Sequence, residues 1–379
     1  MKKKLELEIV SMLERAIALR VTPGCVVSLL YKNQQGEFVS HTIAQGNITY
    51  EKNAAHTGPD VWYDLASVTK LFTALTVLRL VECGYISLAQ TVGSYLDREM
   101  KYPNSWIHST SVRDVLEYKI DIACEGTGEL SSLMIAGGMF AFFEKIIMAP
   151  LKPGHLSVGV YSNVPAFILR CLVEKVAKKN FDVCVREYLL APLGVEDHIA
   201  FSPPTHATVA PTCTEVTPGF VHDTTERTAR LIGAHTGIAG LFATSEGMMI
   251  IARALLTNSC NGTQLFTDDI YALLSREQRS RFLLCGSTLG LQTSSLLWGD
   301  DPVSGKIFGF SGFTGTTLGV HSAHAYAFSV LANRTYGRTD EEGAHESRDV
   351  YEKKTRRAIV DAIQIPLVSC IEKHISGTI

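Results

Sequence analysis

The chain has 379 residues, 46% of them hydrophobic and 19% charged, enough to bury a sizeable core in one large domain or two closely packed ones. Its 35 basic and 38 acidic residues leave a formal net charge of -3, which gives no global reason to expect a nucleic acid or an anionic membrane as partner. The nine cysteines form no CxxC pair, so the expectation is reduced thiols in a cytosol rather than a disulfide framework.

The first twenty residues, MKKKLELEIVSMLERAIALR, begin with lysines, but Glu6, Glu8 and Glu14 interrupt every apolar run. They predict an amphipathic helix rather than a secretory signal, and a cytoplasmic location is expected. The β-rich runs GCVVSLLYKN and GEFVSHTIAQGNITY flank NQQG and predict a hairpin. Helical periodicity then runs from Ser67 to Glu82, with Gly84 as a stop. The apolar run LMIAGGMFAFF, residues 133–143, is too short to span a bilayer and ends at Glu144 and Lys145, so no membrane insertion is expected. It reads as a buried helix or a flap over a pocket.

Further helices are predicted at residues 111–117, 164–178, 181–190 and 245–256, while 190–240, rich in Pro, Thr and Gly, reads as long ordered loop. TTLGVHSAHAYAFSVLANRT predicts two antiparallel strands, and EEGAHESRDVYEKKTRRAIVDAI a charged amphipathic helix. Strands at both ends with helices between predict an α/β (α+β) fold. Residues 1–66 and 285–379 would form a sheet-containing domain, and 67–284 a mainly helical region inserted into it.

Ser67 and Lys70 form an S-x-x-K tetrapeptide inside YDLASVTKLFTALTVLRLVE. Such a tetrapeptide arises by chance roughly once in a chain this long. Its simplest reading is a helix cap followed by a solvated lysine. Position strengthens it. Residues three apart share a helix face, which brings the ammonium of Lys70 to the hydroxyl of Ser67. The first-turn N–H groups favour an oxyanion there. Apolar Leu71, Phe72 and Leu75 would desolvate the lysine, as a general base requires.

With its flanks, WYDLASVTKLFTALTVLRLVECGYISL resembles the nucleophile helix of the serine β-lactamase-related family, which holds class C β-lactamases, penicillin-binding D-Ala-D-Ala carboxypeptidases and related esterases. The resemblance implies a β-lactamase/DD-peptidase-like fold, an antiparallel sheet built from both chain ends and flanked by helices. A second motif, Tyr-x-Asn, is matched by Tyr161, Ser162 and Asn163 in GVYSNVPAFILRCLVEKV. In the family the tyrosine assists proton transfer, and the asparagine holds the lysine and the substrate amide. VREYLLAPLGVEDHIAF, VAPTCTEVTPGFVHD and GIAGLFATSEGMMIIARALL resemble supporting segments in the same order. The VHD triplet, with His222 and Asp223, points within the family to an esterase- or peptidase-like branch, beside a plainer reading as a structural loop pair.

The third motif, Lys-Thr-Gly or His-Thr-Gly in relatives, is matched in FGFSGFTGTTLGV by Phe310, Ser311 and Gly312. The hydroxyl and the glycine are kept, the glycine because backbone must approach the substrate closely. The cation is not. Phe310 cannot bind a substrate carboxylate, which sets penicillins and D-Ala-D-Ala peptides in doubt. The backbone N–H of Phe313 would complete an oxyanion hole with that of Ser67. A second departure is EYKIDIACEG after SVRDVL, where relatives carry Thr-His-Thr-Ser-Gly-Leu.

The resemblance covers roughly residues 20–365 and implies an acyl-enzyme serine hydrolase acting on small esters or amides without a neighbouring carboxylate. A non-catalytic, ligand- or partner-binding descendant and an acyltransferase are the alternatives. No cofactor is called for, and no H-E-x-x-H occurs. His321 and His324 fall in a predicted strand, where odd spacing would point them to opposite faces and away from a shared metal. His235 is expected to be a satisfied loop histidine.

Overall fold

Strand β1 (Gly24–Lys32) has seven of its nine residues buried, the pattern of a central strand covered on both faces. The computed structural model describes residues 3–123, 127–153, 159–213, 220–260, 262–275, 287–293, 295–298, 307–336 and 357–375. Among these, β1 pairs antiparallel with β2 (Phe38–Gly46), completing the expected hairpin. On its other edge β1 takes a strand from the far end of the chain.

The sheet continues with β3 (Ser287–Thr288), β4 (Leu291–Gln292), β5 (Ile307–Ser311), β6 (Thr317–His321) and β7 (Tyr326–Ala332). Its spatial order is β2-β1-β7-β6-β5-β4-β3, antiparallel throughout. Cys25 opposite Ala332 and Tyr31 opposite Tyr326 fix the register between the two chain ends.

Strand alternation divides the apolar residues between two cores. Cys25, Val27 and Leu29 face helix α1 (Lys3–Ala18) and the C-terminal segment around Ile363, Leu367 and Ile371. Val26 and Leu30, with Phe308, Phe310, Leu318 and Val320, face the helical region. The centre of that region is α2 (Thr69–Glu82), which buries eleven of its fourteen residues. A helix that is apolar nearly all round belongs in a core. α2 therefore carries whatever polar groups it has into a dry interior.

Other helices follow the predicted spans closely. The apolar run 133–143 lies in α3 (Thr127–Met148), which is interrupted at Gly138, with φ 69°. The 164–178 prediction is α4 (Val164–Ala177), and the 181–190 prediction continues after Val185 as a π-turn over Arg186–Leu190. The 190–240 stretch, expected as loop, contains α5 (Thr224–Leu231). Its cap, Asp223, accepts from the Glu226 N–H at 2.9 Å, so the DTTE tetrapeptide carried a start signal that the Thr- and Pro-rich surroundings masked.

Helix α6 (Ser245–Thr257), which falls within 67–284, packs on β1, β6 and β7. Ser245 Oγ lies 2.7 Å from Ser28 Oγ on β1. The closing helix is described from Arg357 and continues as α7 (Ile365–His374), beyond the predicted end; most of its predicted span lies outside the described residues. Cys25, Cys83, Cys171, Cys184, Cys213 and Cys370 are free thiols. No described helix is long and apolar enough to cross a membrane.

Candidate active site

Ser67 sits in a 3-10 turn, Ala66–Val68, immediately before α2. Lys70, one turn on, is 2% exposed, and its Nζ lies 2.8 Å from Ser67 Oγ. A buried ammonium needs acceptors. Its second is the Ile238 carbonyl at 3.1 Å. Nζ also stands 5.4 Å from the centroid of the Tyr161 ring. Serine, lysine and tyrosine are thus brought together.

Asn163 begins α4, and its side chain makes no capping bond. Lys70's acceptors are Ser67 Oγ and the Ile238 carbonyl, so the expected asparagine–lysine bond is replaced by a backbone contact. The segment upstream of Tyr161 includes Lys152, Pro153 and Gly154, a KPG stretch that resembles the family's; Gly154 lies outside the described residues.

The loop that supplies Ile238 is tied to α2 at three further points. Thr73 Oγ1 donates to the Gly237 carbonyl at 2.7 Å, Thr69 Oγ1 accepts from the Leu241 N–H at 3.2 Å, and the Leu65 N–H donates to the Leu241 carbonyl at 2.9 Å. Beneath the loop lies Glu226, fully buried on α5. Its carboxylate accepts from the Thr236 N–H (2.8 Å) and Oγ1 (2.7 Å) and pairs with His235 Nδ1 at 2.7 Å. Burial raises the Glu226 pKa, but the bonds and charge of His235 and the bonds from Thr236 outweigh it and hold the carboxyl below its ordinary value. His235 is therefore the satisfied loop histidine expected, its ring packed against Phe201.

The third motif lies along β5 and the turn that follows it. Phe310 and Ser311 project to opposite faces of β5. Phe310 is fully buried on the helical-region side, its ring centroid 6.2 Å from that of Tyr161, which stacks on Tyr118 at 5.9 Å. Ser311 Oγ lies on the other face, 3.5 Å from Thr317 Oγ1, which is itself 3.2 Å from Gln364 Oε1. Gly312 is required for a reason the sequence did not show: a Cβ there would stand 2.5 Å from the Leu65 carbonyl and 2.4 Å from Thr316 Oγ1. It lets the β5–β6 turn press against the nucleophile segment itself.

Phe313 follows in that turn, its ring held between the His222 imidazole (4.8 Å) and the Arg334 guanidinium (4.3 Å). Thr314 Oγ1 donates to the Asp64 carbonyl at 2.6 Å and Thr316 Oγ1 to the Leu65 carbonyl at 2.9 Å. Among the described residues, neither the Ser67 nor the Phe313 backbone N–H donates a hydrogen bond. Both remain available to an oxyanion.

Two site residues escaped the sequence reading, Glu226 and Asp64. Asp64 is 1% exposed, accepts from the Ala66 N–H at 2.8 Å and from the His222 N–H at 2.7 Å, and has its pKa raised by burial to about 6. The expectation for His321 and His324 is also corrected. A turn, not a strand, joins them, so their rings stack at 4.3 Å and both approach Glu372. Nδ1 of His321 accepts the His324 backbone N–H at 3.1 Å, which leaves the proton of the neutral ring on Nε2, facing Glu372. A cation there would have to displace that proton.

The Beta-lactamase family model matches residues 24–352. A Salmonella gallinarum protein named "Putative D-alanyl-D-alanine carboxypeptidase" is 25% identical over 304 residues, covering 72% of this chain and 69% of that protein. An octameric penicillin-binding protein homologue from Pyrococcus abyssi superposes with a TM-score of 0.64 at 20% identity, over 88% of this chain and 74% of its own. EstCE1, a hydrolase with promiscuous acyltransferase activity, superposes with a TM-score of 0.70 at 16% identity, over 95% and 98% of the two chains.

Proposed function

Since the chain belongs to the Beta-lactamase family, a family of serine hydrolases, we propose that it is an acyl-enzyme hydrolase with Ser67 as nucleophile and Lys70 as the proton acceptor. The observation that carries this reading is the 2.8 Å separation of Lys70 Nζ from Ser67 Oγ inside a helix that keeps the amine dry. As a neutral amine Lys70 accepts the Oγ proton while Oγ attacks the carbonyl carbon. As an ammonium it then returns the proton to the departing alkoxide or amine. The Ile238 carbonyl holds Nζ in place through the cycle. The free N–H groups of Ser67 and Phe313 stabilise the oxyanion.

Tyr161 stands beside the Lys70 amine, its ring between Tyr118 and the buried Phe310. Tyr161 serves as the second proton-transfer group once substrate draws its hydroxyl toward the leaving atom. With Phe310 where relatives place a cation, no charge at that point receives a carboxylate. The substrate is an uncharged small ester or amide. Asn163, at the start of α4 beside Tyr161, contacts its carbonyl-flanking polar group.

Turnover of a p-nitrophenyl ester is the direct test. The wild type should show a burst followed by steady hydrolysis, and Ser67→Ala should show neither. A Ser67→Ala variant as active as the wild type rules the nucleophile out.

A further inference from the structure

Resting on the reading of Ser67 as nucleophile, we propose that Asp64 is the positioning residue of the oxyanion hole, one buried carboxylate that fixes both of its halves. The first half is the nucleophile turn. Ala66 holds φ at 46°, a left-handed conformation that alanine rarely adopts, and its N–H is bound to Asp64 Oδ1 at 2.8 Å. That bond fixes the peptide plane next to the Ser67 N–H. The second half is the β5–β6 turn. Asp64 Oδ2 accepts the His222 N–H at 2.7 Å, and the His222 ring stacks on Phe313, whose N–H is the other donor. The Asp64 carbonyl adds a third tie, accepting from Thr314 one residue beyond Phe313.

Such an arrangement needs the ionised acid. Two backbone N–H groups converge on two oxygens, and a protonated carboxyl turns one of those acceptors into a donor. The charged groups around it are Asp223, the cap of α5, and Arg230 on α5, which oppose one another in effect, and the titratable His222 imidazole lies beside it on Phe313. Lys70 on α2 and Arg334 on β7's exit are engaged with Ser67 and Phe313. Among the described residues no cation bonds Asp64 directly, so burial dominates and raises its carboxyl to about 6. Asp64 is thus held ionised at neutral pH by two N–H groups and loses its grip on them under mild acid.

The test is the second-order rate of fluorophosphonate labelling of Ser67, followed by intact mass from pH 5 to 8, for the wild type and Asp64→Asn. The wild-type rate should fall as pH drops through about 6 with the fold retained by circular dichroism. Asp64→Asn should label roughly ten- to a hundredfold more slowly at pH 7.5, and the wild-type step near pH 6 should be missing from its profile. For ester turnover the loss should appear in kcat with KM little changed, a split that general loosening would not produce. A rate within twofold of wild type, or a step near pH 6 with the same midpoint and depth in Asp64→Asn, overturns the assignment. Should that variant fail to fold, the wild-type profile decides, since a flat rate between pH 7 and 5 overturns it equally. No labelling of the wild type at any pH removes the nucleophile reading and this inference together; labelling with a flat profile removes only the inference.

Discussion

Glu226 gathers four bonds in a dry site beneath the loop that supplies Ile238. Its fully buried carboxylate pairs with His235 Nδ1 and Arg230 Nε (2.7 and 3.3 Å) and accepts two bonds from Thr236. Glu226→Ala leaves these donors without an acceptor in a dry site, and losing one partner of a buried charged network costs about 3–5 kcal/mol. At about 2 °C per kcal/mol for a chain of this size, Tm should fall by roughly 6–10 °C. Glu226→Gln keeps one acceptor and the volume, so its loss should be smaller. Because the folded pKa lies below the unfolded one, this stabilisation is complete above the unfolded value of about 4.3 and is lost as pH falls through the folded value. The Tm gap between wild type and Glu226→Gln should therefore narrow on acidification below that point. Scanning calorimetry between pH 3.5 and 7.5 reads both effects. A Glu226→Ala Tm within about 2 °C of wild type at neutral pH would refute the reasoning, as would a gap that stays constant to the acid end.

Lys70→Met removes the base but fits the apolar surroundings of α2, so ester turnover should fall by roughly 10²–10⁴ while Tm holds or rises. Turnover within tenfold of wild type would assign the base elsewhere. Gly312→Ala places a methyl 2.5 Å from the Leu65 carbonyl; it should slow labelling of Ser67 and lower Tm by several degrees, about 1–3 kcal/mol of overpacking. Phe310→His returns a titratable cation to the third motif, and the ratio of penicillin to neutral-ester acylation, read by mass, should rise below pH 6.5. An unchanged ratio would show that Phe310 does not set the charge preference.

The parts legible in the sequence were those carried by local pattern. The S-x-x-K spacing with apolar neighbours predicted Lys70 beside Ser67, and the hairpin and the paired terminal strands followed from β-rich runs around turn residues. Contacts between distant segments were not legible. Asp64 meets His222 across 158 positions, and nothing near YDLAS announces a partner. The Glu226 network is closer in sequence, but the Thr- and Pro-rich surroundings hid the helix that carries it. The His321–His324 pair failed for a third reason: the turn at Ser322–Ala325 contains no Gly, Pro or Asn, and Ala325 supplies the positive φ of 51° itself. A tripeptide motif in a strand also hides its alternation, which sets the adjacent side chains of Phe310 and Ser311 on opposite faces of β5.

The claim that Ser67 is an acylated nucleophile meets its most direct test in intact-mass spectrometry with peptide mapping after incubation with a fluorophosphonate. A single adduct on the peptide containing Ser67, absent from Ser67→Ala and strongly slowed in Lys70→Met, is the predicted result. A wild-type protein that stays unmodified, or an adduct that persists in Ser67→Ala, would contradict it.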